Sequence, residues 1–271
     1  MRKIATFLLA LFIGTLFFPS CAKKPVLIGR ENPEVEIEKC TKLSKKKRFK
    51  EAVECLEVFK SHFPKSEWGV EAELYIGDNY FRHKEYLLAA DSYQSFIKLH
   101  PTHPKVDYAY YKTGLSYLKQ TPKAIDRDQE YLAAAITNFD IVKRNFRDSV
   151  YTNVNNEQLA EAKLREAKRE FYIGRFYYKT GEYLAAIPRF KNVYKDYKDS
   201  GLADKALYFV ILSDLKLKKL DDAKEAFSAL SVDFPNSKYV KEVQDRLIKA
   251  SEKSLKKKGL KKYEERDPRA C

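Results

Sequence analysis

What the sequence lacks comes first. No G-x-S-x-G elbow, H-E-x-x-H pair, phosphate-binding P-loop or paired C-x-x-C occurs in its 271 residues. The common local arrangements for serine hydrolysis, zinc peptidase work, nucleotide binding and paired-thiol chemistry are therefore excluded. Histidine is scarce, with only His62, His83, His100 and His103. The last two flank a turn and are read as turn residues, not as a metal pair. Asp126 and Asp128 have no evident partner acid or base. They are read as loop-stabilising residues acting through turn and cap hydrogen bonds. Past the first twenty residues no apolar run approaches the ~20 residues of a bilayer-spanning helix. The expectation is a chain that is not an enzyme and needs no metal or other cofactor.

What is present begins at the chain's first residues. Met1, Arg2 and Lys3 form a basic start, Ile4 to Phe18 is a weakly polar to apolar run, and Pro19, Ser20 and Cys21 follow. Fifteen residues are short for a span, so residues 1–20 are read as an export signal. The stretch "FFPSC" resembles a bacterial lipobox, although Phe18 and Pro19 depart from its usual residues. Cys21 is then the lipidation site, and several acyl chains hold a protein firmly to a bilayer. Ala22 in place of Asp favours the outer membrane over the inner, and residues 21–32 read as a tether. Three cysteines remain, so at least one is unpaired. A bridge between Cys40 and Cys55 is open, but the favoured reading is two small buried residues. The formal charge is +14. Export argues against nucleic acid, so Lys45 to Arg48 and Lys256 to Lys258 are read as solvated faces with attraction for anionic lipid or an acidic partner.

The rest of the chain is a repeat. Five stop phrases punctuate it: "SHFPKSEW" from Ser61, "LHPTHP" from Leu99, "NFRDS" from Asn145, "DYKDS" from Asp196 and "DFPNS" from Asp233. Before each lies an alanine with a bulky residue four positions on: Ala52 and Leu56, Ala89 and Tyr93, Ala135 and Phe139, Ala186 and Phe190, Ala223 and Phe227. Residues four apart share a helix face. Gly77, Gly114 and Gly174, each followed by a tyrosine three residues later, lie upstream. Glycine inside a helix costs about 1 kcal/mol against alanine, so close approach of two helices is the reason to have it. Gly181 suits a helix C-terminus. These spacings match the tetratricopeptide pattern. The expected fold is all-α, a right-handed superhelix of about five tetratricopeptide hairpins over 33–250. Its units are 33–66, 70–103, 107–149, 167–200 and 204–237, with a basic tail over 251–271. Unit one has Cys40 where glycine belongs, and unit five has Ile211 and Asp214 for the glycine and tyrosine. Unit three carries nine extra residues around Thr121 to Tyr131, and Asn155 to Lys179 reads as one long helix.

On the phrases "FIKLHPTHPKVDYAYYKTGL", "DRD" at 126–128, the long helix and "FYYKTGEYLAAIPRFKNV", the chain resembles the BamD family, the lipoprotein subunits of the outer-membrane β-barrel assembly machine. The resemblance runs from Cys21 to about Asn236 and leaves the basic tail unexplained. It implies a non-enzymatic scaffold lipid-anchored on the periplasmic face of the outer membrane. The partners implied are a BamA-like barrel protein contacted through its POTRA domains, other assembly-machine lipoproteins, and unfolded outer-membrane protein precursors. The family's partner-binding arginine matches Arg189, a residue suited to forked contact with a carboxylate. A client-peptide groove is implied in the N-terminal half. On the inner positions of the first helices it would contain Leu74, Phe81, Arg82, Tyr108, Tyr111 and Lys119. The alternative reading is a different periplasmic repeat lipoprotein, an adaptor in envelope division or peptidoglycan-synthesis control.

Overall fold

The computed structural model describes residues 27–264, with side-chain surroundings as far as Lys256. The expected signal, Cys21 with the first part of the tether, and Cys271 lie outside the described residues. Every regular element among the described residues is helical. Five hairpins follow one another: α1 (Pro33–Lys45) with α2 (Phe49–His62), α3 (Glu67–Arg82) with α4 (Tyr86–Leu99), α5 (Val106–Gln120) with α6 (Glu130–Asn145), α7 (Thr152–Thr180) with α8 (Tyr183–Asp196), and α9 (Ala203–Lys216) with α10 (Leu220–Asp233). A closing helix, α11 (Tyr239–Glu264), runs without a break through the expected boundary at 250. Each helix packs on its neighbours in sequence. In addition α1 touches α3, α5 touches α7, α7 touches α9 and α9 touches α11. First helices thus line one side of an open stack, the inner side, and second helices the other. Among the described residues no helix is long and apolar enough to cross a membrane.

The stop phrases share one geometry. Each second helix ends at Phe63, His100, Phe146, Tyr197 or Phe234, with φ between −126° and −136°. That backbone is too extended to continue a helix. Three residues on, an N–H returns to the same carbonyl, from Ser66, His103, Ser149, Ser200 and Ser237 respectively. The side chain of that residue then accepts from the next helix's first N–H groups. Ser66 Oγ takes Gly69 at 2.9 Å, His103 Nδ1 takes Lys105 at 3.1 Å and Ser149 Oγ takes Tyr151 at 3.1 Å. One phrase therefore ends a helix and satisfies otherwise orphaned donors of the next.

Turns within the hairpins repeat as well. Lys47, Lys84 and Lys218 have φ of 59°, 66° and 61°, and Gly181 has 87°. In each case the following N–H reaches five residues back: Arg48 to Leu43, Glu85 to Tyr80, Lys219 to Asp214, Glu182 to Tyr177. This is a Schellman closure. The left-handed conformation costs a residue with a Cβ roughly 1–2 kcal/mol, so three hairpins hold a lysine where glycine is easier. Hairpin three replaces the turn with its insertion. Gln129, 2% exposed, donates Nε2 to the carbonyls of Pro122 (2.9 Å) and Ala124 (3.1 Å). Arg165 of α7 donates Nη2 to Pro122 O at 2.6 Å and to Gln129 Oε1 at 3.3 Å. Asp128 Oδ1 caps Glu130 N at 3.0 Å. Most of the loop's order comes from Gln129 and Arg165, with the aspartate contributing one cap.

The glycines explain the hairpin interior. A Cβ built on Gly77 would stand 2.7 Å from the Tyr93 ring, on Gly114 2.7 Å from Phe139, and on Gly174 2.8 Å from Phe190. Each glycine is the notch that a ring from the paired helix fills. In hairpin one the notch holds Cys40 and the ring becomes Leu56, both fully buried. In hairpin five Ile211 fills the notch, and Phe227 lies only partly buried at the cluster's margin. Cys40 and Cys55 form a disulfide with Cα atoms 5.4 Å apart. This corrects the favoured reading of two unpaired residues. Helix pairing brings the two sulfurs together, and a closed loop of this size stabilises by about 3 kcal/mol. The helix expected over 155–179 is longer, 29 residues from Thr152 to Thr180, or about 44 Å at 1.5 Å per residue.

Gly174→Ala is expected to destabilise the fold by about 2 kcal/mol, the usual order for overpacking a close-packed site. Adding Phe190→Leu, which imitates the Cys40–Leu56 pairing, is expected to return part of that loss. Urea unfolding of the two variants checks both expectations, and an equal or larger loss in the double variant refutes the notch.

Candidate functional site

The inner face of hairpins two and three is organised around Asp78. It sits on α3, one turn before Arg82 and two turns from the helix's fully buried Ala72. Its Oδ1 accepts the Tyr93 hydroxyl from α4 at 2.6 Å and the Tyr108 hydroxyl from α5 at 2.5 Å. The Lys112 ammonium lies 3.7 Å from the same oxygen. Lys112 Nζ also stands 3.7 Å over the Phe81 ring, a cation–π contact. Burial pushes the Lys112 pKa down and Asp78 opposes that push, while the nearby Arg82 charge adds to it. Burial first, and then the Asp78 charge, hold the Tyr93 and Tyr108 hydroxyls well above the ordinary tyrosine range. Tyr111 stacks on Tyr151 with centroids 5.6 Å apart and planes 11° from parallel, and Tyr108 meets Tyr151 at 5.2 Å. The result is a band of half-buried rings, Phe81, Tyr108, Tyr111 and Tyr151, with a fixed ammonium among them.

The expected groove is only partly assembled. Phe81, Tyr108 and Tyr111 come together in this band, and Arg82 is exposed beside it. Leu74 is corrected: at 2% exposure it packs with Ala89, Tyr93, Phe96 and Ala109 and has no surface to offer a peptide. Lys119 stands apart, near the end of α5, in a recess of about 350 Å³ with Lys123, Glu161 and Arg165. Asp78, Lys112 and Tyr151 went unrecognised in the sequence. Asp78 falls three residues before Phe81 and four before Arg82, on the same side of α3, and that spacing was the available signal.

A second cluster lies between α7 and α8. Arg189 Nη1 donates to Glu170 Oε1 at 2.8 Å, and Asn192 Nδ2 donates to Glu170 Oε2 at 3.1 Å. Glu170 is 6% exposed, whereas the Arg189 side chain keeps 41% of its surface. The arginine's fork, expected to face a partner, is thus engaged at one nitrogen inside the chain. Burial raises the pKa of Glu166, one turn before Glu170, and the neighbouring Glu170 charge raises it further. Arg169 and Arg189 act in the opposite direction. Among the described residues no group of three or more His, Cys, Asp or Glu is arranged to hold a metal ion.

Stacked hairpins with ring-in-notch cores and a shared inner face define a tetratricopeptide-type repeat protein. Residues 34–219 match the YfiO family, described as outer membrane lipoprotein, and the chain belongs to that family. It is similar to the outer membrane protein assembly factor BamD of Rickettsia prowazekii (strain Madrid E), 33% identical over 197 residues, which are 73% of this chain and 78% of that protein. A second relative, outer membrane protein assembly factor BamD of Caulobacter vibrioides, is 30% identical over 227 residues, 80% of this chain and 72% of that one. Among solved structures, the TPR2AB domain of yeast Sti1 in complex with pHSP90 aligns with 83% of this chain and 86% of its own, with 13% identity and a TM-score of 0.38. The fold assignment rests on the hairpins themselves.

Asp78→Asn removes the counter-charge of a mostly buried ammonium. Loss of about 2 kcal/mol of stability is expected, because the remaining charge stays desolvated. Asp78→Asn with Lys112→Met is expected to be more stable than Asp78→Asn alone. Denaturant titration of the single and double variants measures the coupling, and additive losses would rule it out.

Proposed function

We propose that this chain works as a BamD-type assembly factor of the outer membrane. It is a non-enzymatic scaffold that supports a BamA-like barrel protein and receives unfolded β-barrel precursors. The observation that carries this reading is the ring-and-ammonium band of Phe81, Tyr108, Tyr111, Tyr151 and Lys112 on the inner face of a family-matched stack. Rings offer contact area at low entropy cost. Lys112 and Arg82 supply positive charge where the carboxylate of an aromatic-ended client peptide would sit. In this reading Cys21 carries the lipid, and residues 21–32 tether the stack to the periplasmic face of the membrane.

Arg189 is the proposed contact for the POTRA domains of the barrel protein. It is part exposed, and a partner carboxylate would share its remaining donors or displace Glu170. Other lipoproteins of the assembly machine complete the partner set.

Affinity purification of the membrane-anchored protein tests the assignment through what accompanies it. The barrel-bearing partner is expected in the eluate of the unaltered chain and absent with Arg189→Glu. Phe81→Ala combined with Tyr111→Ala is expected to weaken a client C-terminal peptide by about tenfold or more while leaving the circular dichroism spectrum unchanged. If neither variant alters its partner's binding, both site assignments fail.

A further inference from the structure

The closing helix is built unlike the others. Its first half packs on the stack through Val243 and Leu247, 0% and 6% exposed. Beyond them its character changes. Ile248 and Leu255, 51% and 69% exposed, are seven residues apart and so share a face. Lys249, Lys253 and Lys256 stand around that face, and Lys257, Lys258, Lys261 and Lys262 follow in the same helix. Glu252 is the one acid between Arg246 and Tyr263. Among the described residues none of Lys249, Lys253 and Lys256 has an ion pair. The family match ends at 219, so it does not account for this segment.

A recess adjoins it. Between the α9–α10 turn and α11 lies a space of about 490 Å³ with Leu215, Leu220 and Ala250 in its wall. Lys216, Lys218 and Lys253 line it as well, none with an ion-pair partner among the described residues. An apolar wall bordered by unpaired ammonium groups suits a molecule with an anionic head and a hydrocarbon body. A chain of an outer membrane lipoprotein family has such molecules nearby.

We propose that this end of the stack is a membrane-surface contact. The distal part of α11 and the α9–α10 turn bind an anionic phospholipid bilayer. The lysines meet headgroup phosphates, and Ile248, Leu255 and the recess meet acyl chains. The contact is independent of the client and partner assignments, since it shares no residue with them. It gives the stack a second hold on the membrane, at the opposite end from the tether.

The test uses the chain from Leu27 to Cys271, which contains all four packing clusters and carries no lipid. Flotation is compared on vesicles of phosphatidylcholine alone and of phosphatidylcholine with phosphatidylglycerol. Binding about tenfold tighter to the anionic vesicles is expected, weakening as salt rises. Lys253→Glu with Lys256→Glu and Lys257→Glu is expected to abolish the preference. Leu255→Ala, which leaves every charge in place, is expected to weaken binding severalfold, a change that simple charge attraction would not produce. Equal partition to both vesicle types overturns the proposal and leaves the lysines to an acidic protein. Unreduced binding by the triple variant, with circular dichroism showing it folded, overturns it equally.

Discussion

The structure depends on one packing event, a large side chain from the second helix of a hairpin seated in a notch on the first. The notch fixes how near the two helices come, and that distance sets which outer surfaces remain to meet the next hairpin. Volume is conserved across the pair more closely than residue type. Glycine takes a tyrosine or phenylalanine ring; Cys40 takes the smaller Leu56; Ile211 fills the notch itself and Phe227 moves outward. The two departures fall in the first and last hairpins, which have a hairpin on one side only. The first carries the Cys40–Cys55 bridge, and the last is covered by α11. Interior hairpins gain stability from two neighbours, and each end of the stack has its own substitute for the missing one.

This constraint is why so much of the fold was legible. Gly77 precedes Tyr93 by 16 residues, and Gly174 precedes Phe190 by the same number. Gly114 precedes Phe139 by 25 residues, and the difference is the nine-residue insertion. Two antiparallel arms and a fixed turn admit little variation in that spacing, so chemistry and distance could be read together. The turns themselves were half visible. Gly181 announces a left-handed residue, while Lys47, Lys84 and Lys218 do the same work without announcing it, because lysine adopts that conformation only under the pull of both helices. The disulfide was not readable either. Two cysteines 15 residues apart on paired helices serve equally well as packed thiols or as a bridge, and the choice turns on the separation of their backbones.

The inner face shows the other limit. Aromatic and apolar character on the inner positions is enough to point to Phe81, Tyr108 and Tyr111, but it points equally to Leu74, which turns into the core, and it is silent about Asp78. A half-buried carboxylate has no meaning in sequence until its donors are known, and these stand 15, 30 and 34 residues away on two other helices. Arg165 and the insertion pose the same problem. The contact that orders the loop joins residues 36 to 44 positions apart and involves backbone carbonyls, which carry no residue signature.

Both candidate contact sites share a plan that follows from the stack. A largely or fully buried carboxylate on a first helix holds a cation from a neighbouring helix: Asp78 on α3 with Lys112 on α5, and Glu170 on α7 with Arg189 on α8. Holding the cation removes rotamer freedom before any ligand arrives, so less entropy is lost on binding. The same carboxylate also offsets part of the cation's charge. An incoming anion must share it, and the gain is smaller than for an isolated ammonium or guanidinium. Orientation is thereby separated from affinity: the site selects a geometry without gripping it. On the assembly reading that separation has a use, because a scaffold that receives an unfolded chain must also release it. On that proposal rings would supply the non-directional part of the contact and a compensated cation the direction, and neither would hold a client too tightly to pass on.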